Sequence, residues 1–451
     1  MPNIRRLAVL AAVLAPALAA APAHAQMPDQ TLDATAIGAP QLGVSAGGGA
    51  VVAWTGEHEV RSAGGRRSFV RAVLAASRSP SGEIGRVRLL SDPRRDAAPG
   101  FALAVGRAGD AAVVLRGSAA GPLLVARRAS VSSRLGSPAA IPGSARGRQP
   151  AAALGPDGTL AVAWLAPGRR GCGSVVLFAV APRGRPFGAA RRVSGVCPSA
   201  ATPRVALGAR GDGAVAWRAG RTVGYARNRF SIGVAPLVHG RPRAAATASR
   251  GPAVAGSLDV GADGDGAALV LWRDQASVSR AGARGRVLAA TVGAGGPSAP
   301  FAVSTADRVV GPARLAVLPS GAALAVWEEG ASPSPAVVAA RRAAGEARFG
   351  PPETVDPCGA IDASRTGAVP ALSAGGPQAV AFQSACPQRL GLGTDFSVAL
   401  VRSAGPGAPF GAPAALSDGT YARNVQLGLG DDGGGVAVWV QRAGLQVAGV
   451  R

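Results

Sequence analysis

The chain alternates short apolar segments with turn-forming segments rich in Gly, Asp and Pro. Short β-compatible segments bounded by such turns are typical of β-hairpins. In one representative stretch the apolar segments are residues 203–208, 214–217, 225–227 and 233–238, which predicts four short strands. The second segment of each group, such as 322–327, is apolar throughout rather than alternating. That pattern predicts a strand that is buried on both faces.

A glycine precedes every tryptophan of the chain by six residues. The pairs are Gly48 and Trp54, Gly158 and Trp164, Gly211 and Trp217, Gly266 and Trp272, Gly321 and Trp327, and Gly433 and Trp439. Leu115 after Gly109 and Phe382 after Gly376 keep the spacing with another apolar residue in place of tryptophan. We call these eight glycines and eight apolar residues the marker residues. Their near-regular recurrence predicts one structural unit repeated eight times.

Asp-Gly dipeptides lie where the first predicted strand of a unit turns into the second. They begin at Asp157, Asp212, Asp263, Asp265 and Asp432. Glycine at such a turn supplies the positive φ that other residues rarely adopt. We therefore expect a tight hairpin in each unit.

Four-stranded sheets whose second strand is buried on both faces must stack face to face, and stacking them around an axis makes a β-propeller. The sequence thus predicts an all-β fold, a single β-propeller of four-stranded antiparallel blades. Eight blades are expected, with seven as the alternative, because the second unit lacks its tryptophan and the fifth carries extra residues around Gly251. The third strands carry arginines at 127–128 and 341–342, which are expected at exposed edges where charge discourages association.

The two chain ends predict how the ring closes. The eighth unit has room for only a third strand, residues 445–450, before the terminal Arg451. Residues 31–38 precede the first unit and are β-compatible. We therefore expect the N-terminal strand to complete the last blade, because an open array would need capping repeats instead.

The repeat string in residues 155–164, with 337–342 and 349–352, resembles repeats of secreted bacterial β-propellers. The resemblance covers nearly all of the chain after residue 25. It implies the fold and no activity, because propellers carry unrelated functions.

The first 25 residues have the features of a secretory signal peptide. Arg5 and Arg6 precede an apolar segment, and Ala-His-Ala at 23–25 is a small-x-small cleavage site. We expect cleavage after Ala25, a propeller domain of residues 26–451, and a secreted or extracytoplasmic location. The ordinary secretory route is expected, with the twin-arginine route as alternative. No later apolar segment reaches the roughly 18 residues that a membrane helix needs, so no membrane span is expected.

The formal net charge is +23, and all 48 basic residues are arginine. A positive field attracts anionic polymers. Specific nucleic-acid binding is not expected, because no basic cluster is interleaved with stacking aromatic residues. The expected partner is an anionic or glycan polymer of the cell envelope. We expect a monomer without a cofactor.

Four cysteines follow the predicted signal peptide, and export permits disulfides. Cys172 and Cys386 lie between second and third strands, and Cys197 and Cys358 lie in links between units. Both kinds of loop emerge on the same face of a propeller, which predicts the pairs Cys172–Cys197 and Cys358–Cys386. A four-cysteine metal site is disfavoured because C-x-x-C spacing is absent.

Charged side chains follow several marker positions and are the candidates for a binding face. The acidic ones are Glu57, Glu59, Asp274, Glu328 and Glu329. The basic ones are Arg218, Arg273 and Arg442. Paired carboxylates would suit glycoside hydrolysis, and arginines suit anion binding. The alternative interpretation is a solvated rim.

Two other features of the sequence predict no functional site. Asp263 and Asp265 lack the third acidic ligand and the closing Glu of a calcium loop, so a hairpin turn is expected and no metal site is assigned. The chain has no G-x-S-x-G motif whose serine His58 or His239 could activate as a base. Surface positions are expected for both histidines.

The sequence therefore predicts a secreted binding or scaffolding module for an anionic or carbohydrate ligand. The alternative is an extracellular polysaccharide-active enzyme, a glycoside hydrolase or lyase, that uses carboxylates among Glu57, Glu59, Glu328 and Glu329.

Overall fold

The computed structural model describes residues 30–33, 35–61, 65, 67–92, 97, 100–118, 120–168, 173–195, 200–221, 229–249, 253–274, 285–305, 308–309, 311–330, 335–357, 367–384, 397–417 and 422–451. The predicted signal peptide and all four cysteines lie outside these residues. No helix among them is long and apolar enough to cross a membrane.

Eight antiparallel sheets, the blades, follow one another along the chain. The strands of each are given from the inner to the outer one. Blade 1 contains Gln41–Val44, Ala50–Arg61, Arg67–Arg78 and Arg88–Leu89. Blade 2 contains Phe101–Val105, Ala111–Arg116, Leu123–Arg128 and Ala139–Ala140. Blade 3 contains Arg148–Leu154, Leu160–Pro167, Ser174–Ala181 and Arg191–Arg192. Blade 4 contains Ala200–Leu207, Gly213–Arg221, Arg229–Val238, and an outer strand in two pieces, Arg241–Pro242 and Ala246–Thr247.

The second half of the chain repeats this order. Blade 5 contains Ala253–Ala262, Ala268–Asp274, Val287–Gly293, and two outer pieces, Gly296–Pro297 and Phe301–Ala302. Blade 6 contains Arg314–Val317, Ala323–Glu329, Ala336–Arg342 and Glu353–Asp356. Blade 7 contains Val369–Leu372, Gln378–Ser384, Ser397–Ser403 and Ala414–Ala415. Blade 8 contains Arg423–Leu429, Gly435–Gln441, Gly444–Val450 and the N-terminal strand Gln30–Asp33. A short 3-10 turn, Ala209–Gly211, joins the first two strands of blade 4.

The blades form a closed ring. Each first strand contacts the first strand of the next blade, and Gln41–Val44 of blade 1 contacts Arg423–Leu429 of blade 8. The predicted eight-bladed propeller is therefore confirmed, and the seven-bladed alternative is wrong.

The strand assignment within blade 4 needs a correction. Its third strand is the continuous Arg229–Val238, whereas the sequence pattern predicts a fourth strand at 233–238. Gly233 suggests a boundary, but it pairs with Trp217, and a Cβ there would lie 2.5 Å from the indole. This glycine therefore makes room for the tryptophan within the strand.

The marker apolar residues occupy the interfaces between blades. All eight are buried, and each belongs to a hydrophobic cluster that joins its own blade to the preceding one. Trp54 of blade 1 packs with Val436 and Val438 of blade 8, so the last interface has the same construction as the others. The second strands are buried on both faces, as predicted.

The marker glycines occupy the turns between first and second strands. Their φ angles lie between 75° and 113° in all eight blades. This includes Gly109 and Gly376, which precede Leu115 and Phe382. The positive φ expected from the sequence is therefore confirmed in the two degenerate units as well.

These turns also hydrogen-bond to one another around the axis. Five donations cross between neighbouring blades, from the amides of residues 46, 209, 264, 375 and 431 to carbonyls of the next turn. Blades 3 and 6 carry Pro156 and Pro319 at the donor position. Since proline has no N–H, these two turns cannot donate in this way.

The N-terminal strand closes the ring, as predicted. Gln30–Asp33 pairs antiparallel with Gly444–Val450. The Asp33 carboxylate then accepts a hydrogen bond from the Trp54 indole at 2.6 Å. Gly56 permits this contact, because a Cβ there would lie 2.8 Å from the Asp33 carboxylate. One residue therefore links the strand that completes blade 8 to the core of blade 1.

The third-strand arginines differ from the expectation of exposed edge charges. Arg128 is buried and donates to the carbonyl of Gly109 at 2.9 Å and to the hydroxyl of Ser77 in blade 1 at 2.7 Å. Arg341 donates to Gln378 of blade 7 at 2.6 Å. That expectation is wrong because neighbouring blades cover these side chains, and the arginines bind across the interfaces.

We predict that Gly208→Ala lowers the free energy of unfolding by about 2 kcal/mol. A Cβ at Gly208 would collide with the carbonyl of Asp263 and the amide of Gly266 in the next blade. The control is Gly47→Ala in the corresponding turn of blade 1, where a Cβ meets nothing within 4 Å. Chemical denaturation measures both, and equal losses would contradict this account of the turns.

We predict that Asp33→Ala lowers the free energy of unfolding by about 2 kcal/mol, because it leaves the buried Trp54 indole without its charged acceptor. Asp33→Asn keeps an acceptor oxygen and should lose less. Denaturation curves of the three proteins measure the difference. An alanine variant as stable as the parent would show that closure does not depend on this bond.

Candidate functional site

The antiparallel strand order assigns the connections to two faces. We call the face that carries the loops between second and third strands and the links between blades the upper face. The turns between first and second strands and the loops between third and fourth strands lie on the lower face. The sequence-predicted site residues follow second strands and therefore lie toward the upper face. The predicted disulfides stay a prediction, because all four cysteines lie outside the described residues.

Glu328 and Arg273 are buried near each other between blades 5 and 6. Glu328 is 0% exposed and Arg273 is 7% exposed. Arg273 donates to the Gly311 carbonyl at 3.1 Å, and a Cβ at Gly311 would lie 2.5 Å from the Glu328 carboxylate. Burial lowers the pKa of Arg273, while the charges of Asp274 and Glu328 act in the opposite direction. Glu328 therefore faces an arginine inside the protein rather than solvent.

Glu329 accepts a hydrogen bond from the indole of Trp327 at 3.1 Å. Gln441 does the same for Trp439 at 3.0 Å, two residues after its tryptophan. In blades 3 and 4 an alanine stands at that position, and among the described residues those two buried indoles have no acceptor. The Trp272 indole of blade 5 also has none there, although Asp274 stands two residues after it. The repeated spacing indicates that Glu329 satisfies a buried N–H group.

The other predicted residues lie on separate blades. Asp274 accepts the backbone N–H of Arg286 at 2.7 Å. Arg218 is half-buried with its guanidinium 4.0 Å from the centre of the Phe230 ring. Arg442 is exposed in the turn before Gly444–Val450. The structure does not bring these residues together into one site.

The structure also places the two histidines and the predicted hairpin turn that contains Asp263 and Asp265. His58 lies in the second strand of blade 1, and His239 is exposed on the lower face beside Asp212, at 3.7 Å. Asp263 accepts the amides of Asp265 and Ala267 at 3.0 and 2.9 Å. This carboxylate caps its own turn, as the hairpin interpretation predicts.

Among the described residues, blade 1 has the longest paired hairpin on the upper face. Its second and third strands, Ala50–Arg61 and Arg67–Arg78, have 12 residues each and stay paired well beyond Trp54. Glu57 lies opposite Arg71, and Glu59 lies opposite Phe69. Since side chains alternate along a strand, these four share one face of the hairpin.

This hairpin face is accessible and chemically mixed. Phe69 is 64% exposed, the highest value among the large hydrophobic residues described. Glu59 pairs with Arg67 at 3.5 Å, and Glu57 and Arg71 are also exposed. An exposed aromatic ring is thus surrounded by two carboxylates and two guanidinium groups.

A cleft of about 480 Å³ opens beside the same face at the junction of blades 1 and 2. Its side chains include Ile37, Thr55, Arg71 and Phe101. Gln41 links blades 1 and 2 beneath this cleft. Its side chain donates to the Phe101 carbonyl at 2.8 Å and accepts from the Leu103 amide at 2.8 Å. The hairpin face and this cleft together form the candidate site.

Sequence reasoning identified half of this site. Glu57 and Glu59 were found because they follow Trp54, but Phe69 and Arg71 precede the third-strand core and follow no marker. The signal available was the length of the β-compatible segment after Trp54. Only the cross-strand register shows which residues share the face. The four candidate glutamates fall into two groups, on blades 1 and 6, which are not neighbouring blades.

No protein-family model matches the chain, and no curated protein matches it. Among solved structures, a protein of unknown function from Dyadobacter fermentans is 12% identical, with 68% of this chain and 95% of that chain covered and a TM-score of 0.41. An ulvan lyase, a polysaccharide lyase, is 11% identical over 78% of this chain and 91% of its own, with a TM-score of 0.46. A puromycin-hydrolysing peptidase from Mycobacterium tuberculosis is 17% identical over 90% of this chain and 58% of its own, with a TM-score of 0.45. These likenesses are too distant to carry an argument about function.

We predict that Glu328→Gln or Arg273→Gln alone lowers the free energy of unfolding by about 3 kcal/mol, because each leaves the other buried charge with less opposite charge nearby. The double variant Arg273→Met with Glu328→Leu should recover much of this loss. Denaturation of the single and double variants measures the coupling. Additive losses would show that the two charges do not interact.

Proposed function

We propose that this protein is an extracytoplasmic carbohydrate-binding module that holds its ligand on the hairpin face of blade 1. The observation that carries the proposal is the exposed Phe69 ring among Glu57, Glu59 and Arg71, beside an open cleft. The extracytoplasmic location rests on the signal-peptide pattern of residues 1–25.

The chemistry of the face suits a sugar. A pyranose ring presents C–H groups on its faces and hydroxyls around its edge. The Phe69 ring can cover the C–H face, while carboxylates accept hydroxyl protons and guanidinium groups donate to hydroxyl oxygens. The rigid paired strands limit the ordering cost of binding.

The charge balance favours a neutral glycan at this position. Glu57 and Glu59 oppose Arg67 and Arg71, so the hairpin face has no large net charge although the whole chain carries +23. Nonspecific adhesion of polyanions would use the general positive field and weaken steeply with salt. Binding at the hairpin should depend little on ionic strength.

A second candidate function is hydrolysis or elimination on a polysaccharide. Glu57 and Glu59 share one strand face two residues apart, which favours them over Glu328, whose carboxylate is buried. The hairpin face is open, however, whereas transition-state stabilisation gains strength in a site that excludes water. Binding without turnover is therefore the preferred proposal.

We predict that a glycan array of purified protein identifies a ligand whose affinity falls about tenfold in Phe69→Ala, since aromatic contacts of this kind contribute on the order of 1 kcal/mol or more. Val131→Ala is the matched control, because it also truncates an exposed hydrophobic residue but lies on the lower face. Calorimetric titration at two salt concentrations measures both variants.

The same preparations separate the alternatives. Turnover of a polysaccharide that disappears in the double variant Glu57→Gln with Glu59→Gln would favour the enzyme. Binding that collapses with salt and survives Phe69→Ala would favour nonspecific adhesion. No glycan bound by the parent protein would overturn the proposal.

A further inference from the structure

Another cleft, of about 580 Å³, opens on the lower face between the outer parts of blades 1 and 2. We call it the rim groove. Blade 1 lines it with the end of its third strand, residues 75–77, and with residues 85–88, where its fourth strand begins. Blade 2 lines it with residues 131–135 of the loop between its third and fourth strands. The rim groove and the hairpin face therefore lie on opposite faces of the propeller.

Exposed hydrophobic side chains mark the rim groove. Among the described residues the exposed large hydrophobic side chains are Ile37, Phe69, Val87 and Val131. The first two belong to the candidate site at the hairpin of blade 1. Val87, which is 37% exposed, and Val131, which is 39% exposed, both line the rim groove from different blades. Such clustering indicates a surface that a partner covers.

Three arginines give the rim groove a positive charge. Arg86 and Arg88 belong to blade 1, and Arg134 belongs to blade 2. Arg86 and Arg134 are exposed, and Arg88 is partly exposed. Among the described residues none of the three guanidinium groups has a hydrogen-bond or ion-pair partner, and none of their nitrogen atoms is enclosed. These donors are therefore free and within reach of a ligand.

No acidic side chain of the lining opposes these arginines. Glu83, which is near in sequence, is exposed, lies outside the lining and forms no ion pair among the described residues. Other clefts in the described part of the chain differ, because Asp432 lines the one between blades 8 and 1 and Glu346 lines one between blades 6 and 7. The rim groove thus combines exposed apolar side chains with uncompensated positive charge.

We infer that the rim groove binds an extended acidic segment of another protein, in which apolar residues separate the acidic ones. Guanidinium groups bind carboxylates through charge-assisted hydrogen bonds. Val87, Val131 and the buried alanines at 75–76 provide apolar surface for the aliphatic side chains of the segment.

The lining favours a peptide over other anionic polymers. It contains no aromatic side chain on which a sugar ring or a nucleic-acid base could stack. Its exposed apolar side chains are aliphatic, and they match the aliphatic side chains of a peptide. This site is independent of the glycan proposal, because it shares no residue with the hairpin face and lies on the other face of the ring.

The test titrates the native protein into a fluorescently labelled nonapeptide, three repeats of Asp-Asp-Val, and follows its anisotropy. Two companion peptides carry Asn for every Asp or Ser for every Val. We expect the Asn peptide to bind at least tenfold more weakly and the Ser peptide about fivefold more weakly, because charge and apolar burial contribute separately. No binding of the Asp-Asp-Val peptide, or equal binding of the Asn peptide, overturns the inference.

The double variant Arg86→Gln with Arg88→Gln should weaken binding of the Asp-Asp-Val peptide about tenfold, since two exposed ion pairs are lost. The matched control is Arg191→Gln with Arg192→Gln. Those two arginines form the fourth strand of blade 3 and are exposed, so the control removes the same charge from the same strand position of another blade. It should change the affinity less than twofold. Equal losses would show attraction by the general positive field and overturn the assignment to the rim groove.

Two truncations separate this site from the glycan site. Val131→Ala should weaken peptide binding about threefold and leave glycan binding unchanged. Phe69→Ala should leave peptide binding unchanged, so the two proposals fail separately. Peptide binding that falls in Phe69→Ala and survives in Val131→Ala overturns the placement on the lower face.

Competition with other polymers tests the class of partner. Polyphosphate and a polyuronate, each at the same concentration of negative charge as unlabelled peptide, are added to the labelled complex. We expect both to displace the labelled peptide less effectively than the unlabelled peptide does, because neither supplies aliphatic side chains. More effective displacement by either polymer assigns the rim groove to that polymer and overturns the assignment to a peptide.

Discussion

The structure depends on burying the second strand of each blade on both faces. A single four-stranded sheet cannot do this, because both of its faces would expose Val, Leu and Ala to water. Each blade therefore needs a neighbour on either side. Every blade has both faces covered only when the ring is closed. The marker tryptophan or its Leu and Phe substitutes fill the space between successive second strands. Eight interfaces with the same construction follow from this one requirement.

Polar groups near the tryptophans are used mainly to maintain this packing. A buried indole N–H needs an acceptor, and Asp33, Glu329 and Gln441 each supply one. Acidic residues placed after a marker tryptophan thus have a structural role in some blades. Glu57 and Glu59 are different, because the hairpin of blade 1 carries them away from the core into solvent. Length of the hairpin, rather than residue type, separates the exposed carboxylates of blade 1 from the buried ones of blade 6.

Arginine has a similarly divided role. The net charge of +23 suggests a uniformly basic surface, yet several arginines bind backbone carbonyls and aromatic rings between blades. The long apolar part of the side chain packs in the interface while its donors satisfy carbonyls there. Charge left at the surface is therefore less than the sequence count indicates.

The sequence by itself determined the all-β class, the eight repeats, the positive-φ turn glycines and the closure by the N-terminal strand. The strand class and the turn glycines follow from local periodicity and from the special conformations of glycine, which any single unit displays. The repeat count and the closure follow from the recurrence of the markers and from the strands left over at the two chain ends. Tertiary structure decided that Arg128 and Glu328 are buried, that Gly233 lies inside a strand, and that Phe69 and Arg71 join Glu57 and Glu59 on one face. Those outcomes depend on cross-strand register and on which neighbouring blade covers a side chain. Both are relations between residues distant in the chain, and the repeat pattern is the same whether a given side chain meets a neighbour or water.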